Sequence, residues 1–162
     1  MTGKVKAGEG TLVGNAGEHY VMAELLKRSA IAALAPRNAP SFDIIATKGD
    51  KTVRVRVKTK SEQYDIWQWV IKKDGSIFRN ISPTGDFTVL VNLTTLTKDL
   101  AFYVIPTAAL DKTLKQNHDE WVRTPGKNGR PHDPSNKQRT LSYKKYSTWL
   151  AGFLHQWDLL WK

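Results

Sequence analysis

The clearest alternation of apolar and polar positions in the chain runs from residue 53 to residue 60. Val53, Val55 and Val57 alternate with cations, a period of two residues that is typical of a β-strand with one buried face. The pattern therefore predicts a strand whose other face carries four basic side chains. They are Arg54, Arg56, Lys58 and Lys60.

The residues before this strand predict two further elements. Residues 41–46 form a short apolar run with one acid, Asp43, and residues 48–51 are turn formers that would join the two strands as a hairpin. Leu12 to about Leu34 has the composition and apolar spacing of one long amphipathic helix. Glu18 lies on the apolar stripe of that helix, where a carboxylate needs a partner.

The middle of the chain predicts a sheet followed by a helix. Residues 64–72 alternate enough to be a third strand of a meander, with two tryptophans, Trp67 and Trp69, on one face. Residues 87–93 and 100–105 are almost continuously apolar, which is typical of strands covered on both faces. Thr107 is then expected to cap a helix that runs to about Asn117.

A length of 162 residues favours one domain. Residues 1–10 are expected to be a flexible arm and residues 11–162 a single α/β domain. Within it, residues 124–140 are rich in Pro, Gly and cations and predict a long basic loop. Residues from about 141 to 162 predict a C-terminal helix with an aromatic residue at every fourth position from Trp149.

The order of these residues resembles the motif of the PD-(D/E)XK nuclease-like superfamily, in which a helical Glu, an Asp and an acid-x-Lys follow one another. Glu18 matches the helical acid, Asp43 the strand acid and Lys58 the lysine. The resemblance spans roughly residues 10–105. It implies a restriction-endonuclease-like fold, an α/β structure with a central mixed sheet flanked by helices. It also implies metal-dependent cleavage of DNA, as in small restriction-endonuclease-like or homing-endonuclease-like members.

The resemblance also implies a set of site residues. Glu18 and Asp43 would bind Mg²⁺ or Mn²⁺, and Lys58 would orient the attacking water or stabilise the charge that develops on the phosphate. Glu18, Asp43 and Lys58 are thus the expected catalytic residues. Because Mg²⁺ commonly keeps several waters and takes only one or two protein carboxylates, we expect one ion rather than two.

Arg56 departs from the family pattern, which has Glu, Asp or Gln at this position. A guanidinium group has donors and no acceptor, so it cannot bind a metal ion. It could pair with Asp43 or Glu18 in place of the metal, which would leave a domain that binds nucleic acid without cleaving it, or it could bind a substrate phosphate. An acid elsewhere, such as Glu62, could instead replace the missing ligand. The sequence leaves all three open.

The charge favours a polyanionic partner, since the chain carries a net charge of +10 and has a pI near 9.8. DNA is the expected partner and RNA is the alternative. A homodimer would supply the two active sites that cleavage of both strands usually requires. The expected nucleic-acid contacts are Arg54, Arg56, Lys60, Lys127, Arg130, Lys137 and Arg139.

The lack of cysteine and of a long apolar run limits the classes of protein to which this chain could belong. The chain has no cysteine, which excludes disulfide and thiol chemistry and suits a reducing compartment. It has no long apolar run and no signal-like start, so we expect a cytoplasmic protein without a membrane partner. An adaptor protein with no nucleic-acid role is the alternative from a different class.

Overall fold

The computed structural model describes residues 9–36, 39, 41–94 and 99–162. Most of the expected N-terminal arm, residues 1–8, lies outside the described residues, and its last two residues already belong to the first helix. In chain order the elements are α1 (Glu9–Lys27), β1 (Ile31–Leu34), β2 (Ile44–Lys48), β3 (Lys51–Ser61), β4 (Ile66–Val70), β5 (Asp86–Leu93), β6 (Ala101–Pro106), α2 (Thr107–Arg123), β7 (Gln138–Ser142), α3 (Ser147–Ala151) and a C-terminal 3₁₀ helix (Trp157–Trp161).

Five strands form a mixed sheet in the order β1-β2-β3-β5-β6. The β3–β5 pair is parallel, whereas the other neighbours in this sheet are antiparallel. This confirms the expected central mixed sheet. β4 pairs with β7 in a separate two-stranded antiparallel sheet, so the prediction that β4 continues a meander from β3 is wrong.

The mixed sheet is covered on both faces because its apolar side chains alternate between two clusters. On one face, Val21 and Leu25 of α1 pack with Val53 and Val55 of β3, and Trp157 of the 3₁₀ helix joins them. The other face packs against α2 and the β4–β7 sheet through Leu110, Leu114, Trp67, Leu141, Leu90 and Ile105. The valines of β3 are therefore in the core, as their alternation predicts, and the cations of β3 point toward the second cluster.

The first helix is shorter than expected. It ends at Lys27, and residues 31–34 form the edge strand β1 rather than more helix. Ser29 has a φ of 62°, and hydrogen bonds run from Ser29 N to Leu26 O and from Ala30 N to Leu25 O. This is a Schellman motif, which satisfies the last carbonyls of the helix and turns the chain into β1.

The C-terminal segment is not one helix. Residues 138–142 belong to β7, α3 ends at Ala151, and the chain bends at His155, whose φ is 53°, before the 3₁₀ helix begins. The regularly spaced aromatic residues consequently separate, with Trp149 packed against the second cluster and Trp157 buried in the first. Periodicity alone could not show this break.

The helix that follows β6 runs from Thr107 to Arg123, which is beyond the expected end at Asn117. Thr107 does not act as its cap, because its hydroxyl lies 3.0 Å from the hydroxyl of Thr88 in the sheet. None of the described helices is both long and apolar enough to cross a membrane.

Candidate functional site

Asp43 lies directly before β2 and is held against β3. Its backbone N–H donates to Val55 O at 2.9 Å, and its Oδ2 accepts a hydrogen bond from Val57 N at 2.7 Å. Since the paired residues of β2 begin at Ile44, this carboxylate takes the place of a backbone partner for the next N–H of β3. Burial raises the pKa of Asp43, although the Val57 N–H and the charges of Arg56 and Lys58 act in the opposite direction.

Lys58 is half-buried on β3, and its Nζ lies 5.7 Å from the centre of the Trp69 ring. Burial lowers its pKa, the charge of Lys72 lowers it further, and the carboxylate of Asp43 opposes both effects. The structure therefore brings Asp43 and Lys58 close enough for their charges to interact. The two residues lie beside the start of β2, where β3 runs on past it.

Glu18 is carried toward the same part of β3 by a close contact between helix and strand. Gly17 is buried, and a Cβ at this position would overlap the hydroxyl of Thr59. No larger residue fits there without a shift, so α1 rests directly on the strand residue that follows Lys58. Glu18 comes next in α1 and is half-buried.

Arg56 points away from these acids. Its Nε and Nη2 donate to the two carboxylate oxygens of Asp86, each at 3.1 Å, and Nη2 also donates to Arg79 O at 2.8 Å. Arg56 is 8% exposed. Of the roles that the sequence leaves open for Arg56, the ion pair with Asp43 or Glu18 is therefore not formed among the described residues. Its guanidinium group is also buried and not exposed to a substrate phosphate.

Asp86 is the buried acid of this region, and the sequence motif does not include it. Its side chain has no exposed surface, and it also accepts hydrogen bonds from Arg54 Nη2 at 3.0 Å and Ser82 N at 3.1 Å. Burial by itself would raise the pKa of Asp86, but hydrogen bonds from Arg56, Thr107 and Ser82 bring the pKa below its ordinary value. The available signal was an acid placed directly before the apolar run of β5.

Lys60 is also buried, at 6% exposure. Its Nζ donates to Asn92 Oδ1 at 2.7 Å and lies 4.8 Å from the Trp67 ring centre and 5.3 Å from that of Tyr143. Burial lowers the pKa of Lys60. Because Arg56 and Lys60 are enclosed and already paired, neither is available as the nucleic-acid contact that the alternating pattern predicted.

The other expected contacts divide into two groups. Lys127, Arg130 and Lys137 are exposed on the segment between α2 and β7. Arg139 is half-buried on β7 and donates to the carbonyl oxygens of Asn136 and Gln138, so it stabilises the end of that segment. Trp67 is a core residue, as expected for paired aromatics on one strand face, since it is 1% exposed and its Nε1 donates to Val91 O.

Glu18 and Asp43 are the carboxylates expected to bind a metal ion here. Within the described ranges, no three His, Cys, Asp or Glu side chains form a group that could hold a metal ion. Glu62 is therefore not part of such a group among the described residues. Two carboxylates with several waters remain an ordinary environment for Mg²⁺.

No protein-family model and no curated protein sequence matches the chain. Among solved structures, it is similar to a bacterial homing endonuclease with a TM-score of 0.50 and 17% sequence identity, over 93% of this chain and 89% of the endonuclease. It also aligns with Hjc, a Holliday junction resolvase from the archaeon Archaeoglobus fulgidus, with a TM-score of 0.47 and 14% identity, over 83% of this chain and 88% of the resolvase.

The similarity to the homing endonuclease establishes the fold. The central mixed sheet with helices on its faces is a nuclease-like, restriction-endonuclease-like α/β fold, as the sequence motif implied.

Proposed function

We propose that this protein is a metal-dependent DNA endonuclease of the PD-(D/E)XK type, which hydrolyses phosphodiester bonds. The observation that carries the proposal is the meeting of Asp43 and Lys58 beside β3. Each lies in a half-buried environment that shifts its pKa toward the neutral range, and such shifts are typical of residues in functional sites.

In this proposal each site residue has a separate role. Glu18 from α1 and Asp43 from the start of β2 would hold one Mg²⁺ or Mn²⁺, which supplies the polarisation of water and of the scissile phosphate when it is bound. Lys58 places a positive charge where negative charge develops on the phosphate, and because it is half-buried that charge is less screened by water.

The position of Arg56 favours an active site over an inactivated one. An arginine paired with Asp43 would occupy the place of the metal and neutralise its ligand. Since Arg56 is instead bonded to Asp86, it does not compete for the second carboxylate oxygen of Asp43.

The alternative function is a nuclease-like domain that binds nucleic acid without cleaving it. The observation that favours this alternative is that position 56 offers no oxygen ligand, so the site has one acid fewer than the family pattern. The net charge of +10 and the exposed Lys127, Arg130 and Lys137 support nucleic-acid binding in both cases. DNA is the proposed substrate and RNA the second choice.

The deciding experiment is cleavage of supercoiled plasmid and single-stranded DNA with Mg²⁺ or Mn²⁺ by the wild type, Asp43→Asn and Lys58→Met. Matched controls are Asp50→Asn and Lys51→Met, which remove the same charges at the exposed β2–β3 turn. We expect nicking by the wild type and both controls, and a loss of about 100-fold or more in the two site variants.

The other outcomes separate the remaining functions. No cleavage by any protein, with salt-sensitive DNA binding in all of them, would establish the non-cleaving alternative. No DNA binding at all would leave an adaptor function. If both strands are cut, sedimentation of the protein–DNA complex should show two copies of the chain.

A further inference from the structure

A cavity of about 480 Å³ lies away from the candidate catalytic residues, between the second half of α2, the segment after it, and β7. Its volume falls within the range of about 300–1,000 Å³ that is usual for small-molecule sites. Gln138, Thr140 and Ser142 line it from β7, whereas Leu141 between them is fully buried in the core. The cavity is therefore on the face of β7 that points away from the second core cluster.

One wall of the cavity is a stack of three rings. The Trp121 and His132 rings lie 4.0 Å apart at an angle of 9°, and the Trp121 and His118 rings lie 5.6 Å apart at 28°. His132 Nδ1 is also 2.7 Å from the backbone oxygen of Trp121. These contacts hold three aromatic rings together, which form an aromatic wall beside the cavity, and they tie the segment after α2 to the helix.

The opposite wall offers neutral hydrogen-bonding groups. Within the described part of the chain, neither the side-chain amide of Gln138 nor the hydroxyl of Thr140 makes a hydrogen bond. The neighbouring Asn117 is already occupied, since its Nδ2 donates to Thr140 O and its Oδ1 accepts from Lys145 and Tyr146. Gln138 and Thr140 are thus the groups of this wall that can bond to a ligand.

The cavity has little net charge. Its cation, Lys145, pairs with Glu120 at 2.7 Å. Burial and the nearby Arg139 lower the pKa of His118, although the Pro134 carbonyl and Asp119 oppose the shift. Because the one lysine among the described lining residues is already paired with an acid, the walls attract a phosphate group only weakly.

We propose that this cavity binds a single unpaired nucleobase, which lies between the aromatic wall and the Gln138 and Thr140 side chains. A carboxamide matches the paired donor and acceptor of an adenine edge, so adenine is the expected base. Lys127, Arg130 and Lys137 are exposed on the segment that borders the cavity and can bind the phosphates on either side of the base. The inference rests on the proposed function only in taking this base from a bound nucleic acid strand.

The test compares ligands with and without a base. Titration calorimetry would measure binding of adenosine monophosphate and of ribose 5-phosphate. Fluorescence anisotropy without divalent metal would measure binding of a short single-stranded oligonucleotide with a central adenine and of the same strand with an abasic site. The variants are Gln138→Ala and Thr140→Val, and the control is Gln116→Ala, an exposed α2 residue outside the cavity.

We expect the adenine-containing strand to bind more tightly than the abasic strand. Gln138→Ala and Thr140→Val should each remove most of this preference. Gln138→Ala should weaken binding of the adenine-containing strand about tenfold. Equal binding of both strands by all four proteins would overturn the nucleobase site and leave the proposed function intact. No binding of either strand, with cleavage of plasmid DNA intact, would also overturn the nucleobase site on a bound strand. Loss of both oligonucleotide binding and plasmid binding or cleavage would instead overturn the proposed function. In that case the monophosphate decides the cavity: binding that Gln138→Ala removes would support a nucleobase site for a free nucleotide, and no binding would exclude it.

Discussion

Asp86 binds two guanidinium groups at a place where its carboxylate has no contact with water. An unpaired charge there would cost several kcal/mol, whereas a carboxylate with complete hydrogen bonding can stay ionised. Arg56 supplies two of those bonds, and Arg54 and the Ser82 N–H supply others. At the level of single residues, position 56 therefore stabilises the start of β5 instead of taking part in metal binding.

This role predicts the effect of restoring an oxygen ligand at position 56. We expect Arg56→Gln to lower the free energy of unfolding by about 3–5 kcal/mol. Arg56→Glu should cost more, because it places a second carboxylate beside Asp86. Neither variant should increase DNA cleavage. Urea unfolding and plasmid nicking on the same preparations would measure both effects.

The matched control is Arg54→Gln. The Arg54 side chain is 29% exposed, so its pairing with Asp86 is partly screened, and we expect a loss of about 1 kcal/mol. An Arg56→Glu protein that is as stable as the wild type and cleaves faster would contradict this account. That result would show that Arg56 inactivates the catalytic site of the wild type.

Among the packed elements, the contact between α1 and β3 decides where Glu18 lies. The helix approaches the strand so closely at position 17 that only glycine, which has no side chain, fits without a shift. The Thr59 hydroxyl is buried against it without a hydrogen-bond partner among the described residues. At Gly17 and Thr59 the helix is therefore held by a steric fit.

Gly17→Ala tests this fit, and Gly14→Ala is its control, because a Cβ at Gly14 has nothing within 4 Å. Alanine is favoured over glycine inside a helix by about 1 kcal/mol, so Gly14→Ala should stabilise the protein by up to that amount. Gly17→Ala should instead destabilise it by about 1–3 kcal/mol through overpacking. Thermal and urea unfolding would measure both changes.

The same pair of variants reports on function. Gly17→Ala displaces α1 and with it Glu18, so cleavage should fall at temperatures where the variant remains folded, and Gly14→Ala should leave it unchanged. In a Thr59→Ala background the stability cost of Gly17→Ala should shrink, because the overlapping hydroxyl is gone. Equal stabilisation by both alanines would show that α1 is not in tight contact with β3.

For the molecule as a whole, the excess of positive charge should govern nucleic-acid affinity. Replacing Lys127, Arg130 and Lys137 together by alanine should weaken binding to all sequences alike. The slope of log affinity against log salt should become shallower by about 0.9 for each phosphate of duplex DNA that the protein no longer neutralises. Anisotropy titrations at several salt concentrations would measure this slope.

A control with the same change in net charge carries Lys51→Ala, Lys112→Ala and Lys162→Ala, three exposed positions on other parts of the molecule. An equal decrease of the slope in this control would show that only the total charge matters. A slope unchanged by the first triple substitution would remove the segment between α2 and β7 from the binding surface.

Acid stability is a second property of the entire domain, and it follows from Asp86. Its pKa is lowered in the folded state, so its stabilising contribution is complete above the ordinary aspartate pKa of about 3.9 and is lost as the pH falls through the lower folded value. Asp86→Asn should be less stable than the wild type at neutral pH and should lose less stability below pH 4. Urea unfolding across this pH range would measure the difference, and parallel acid profiles for the two proteins would contradict it.

The features of this protein that involve residues close together along the chain follow from its amino-acid sequence alone. The alternation of apolar and basic residues shows which side chains of β3 lie on each face of the sheet. The continuous apolar runs predict that β5 and β6 are covered on both faces. The hairpin connection brings Asp43 beside the strand that carries Lys58, because residues joined by a tight turn must lie close together. The motif that these residues share with Glu18 indicates the fold.

Partners that lie far apart along the chain depend instead on the three-dimensional pairing of the elements. Arg56 meets Asp86 because β5 pairs in parallel with β3, and Trp69 lies opposite Arg139 because β4 pairs with β7. A period of two residues shows the face on which a side chain lies but not which distant strand covers it. The helix end at Ser29 and the break at His155 depend on backbone conformations that the apolar pattern does not show.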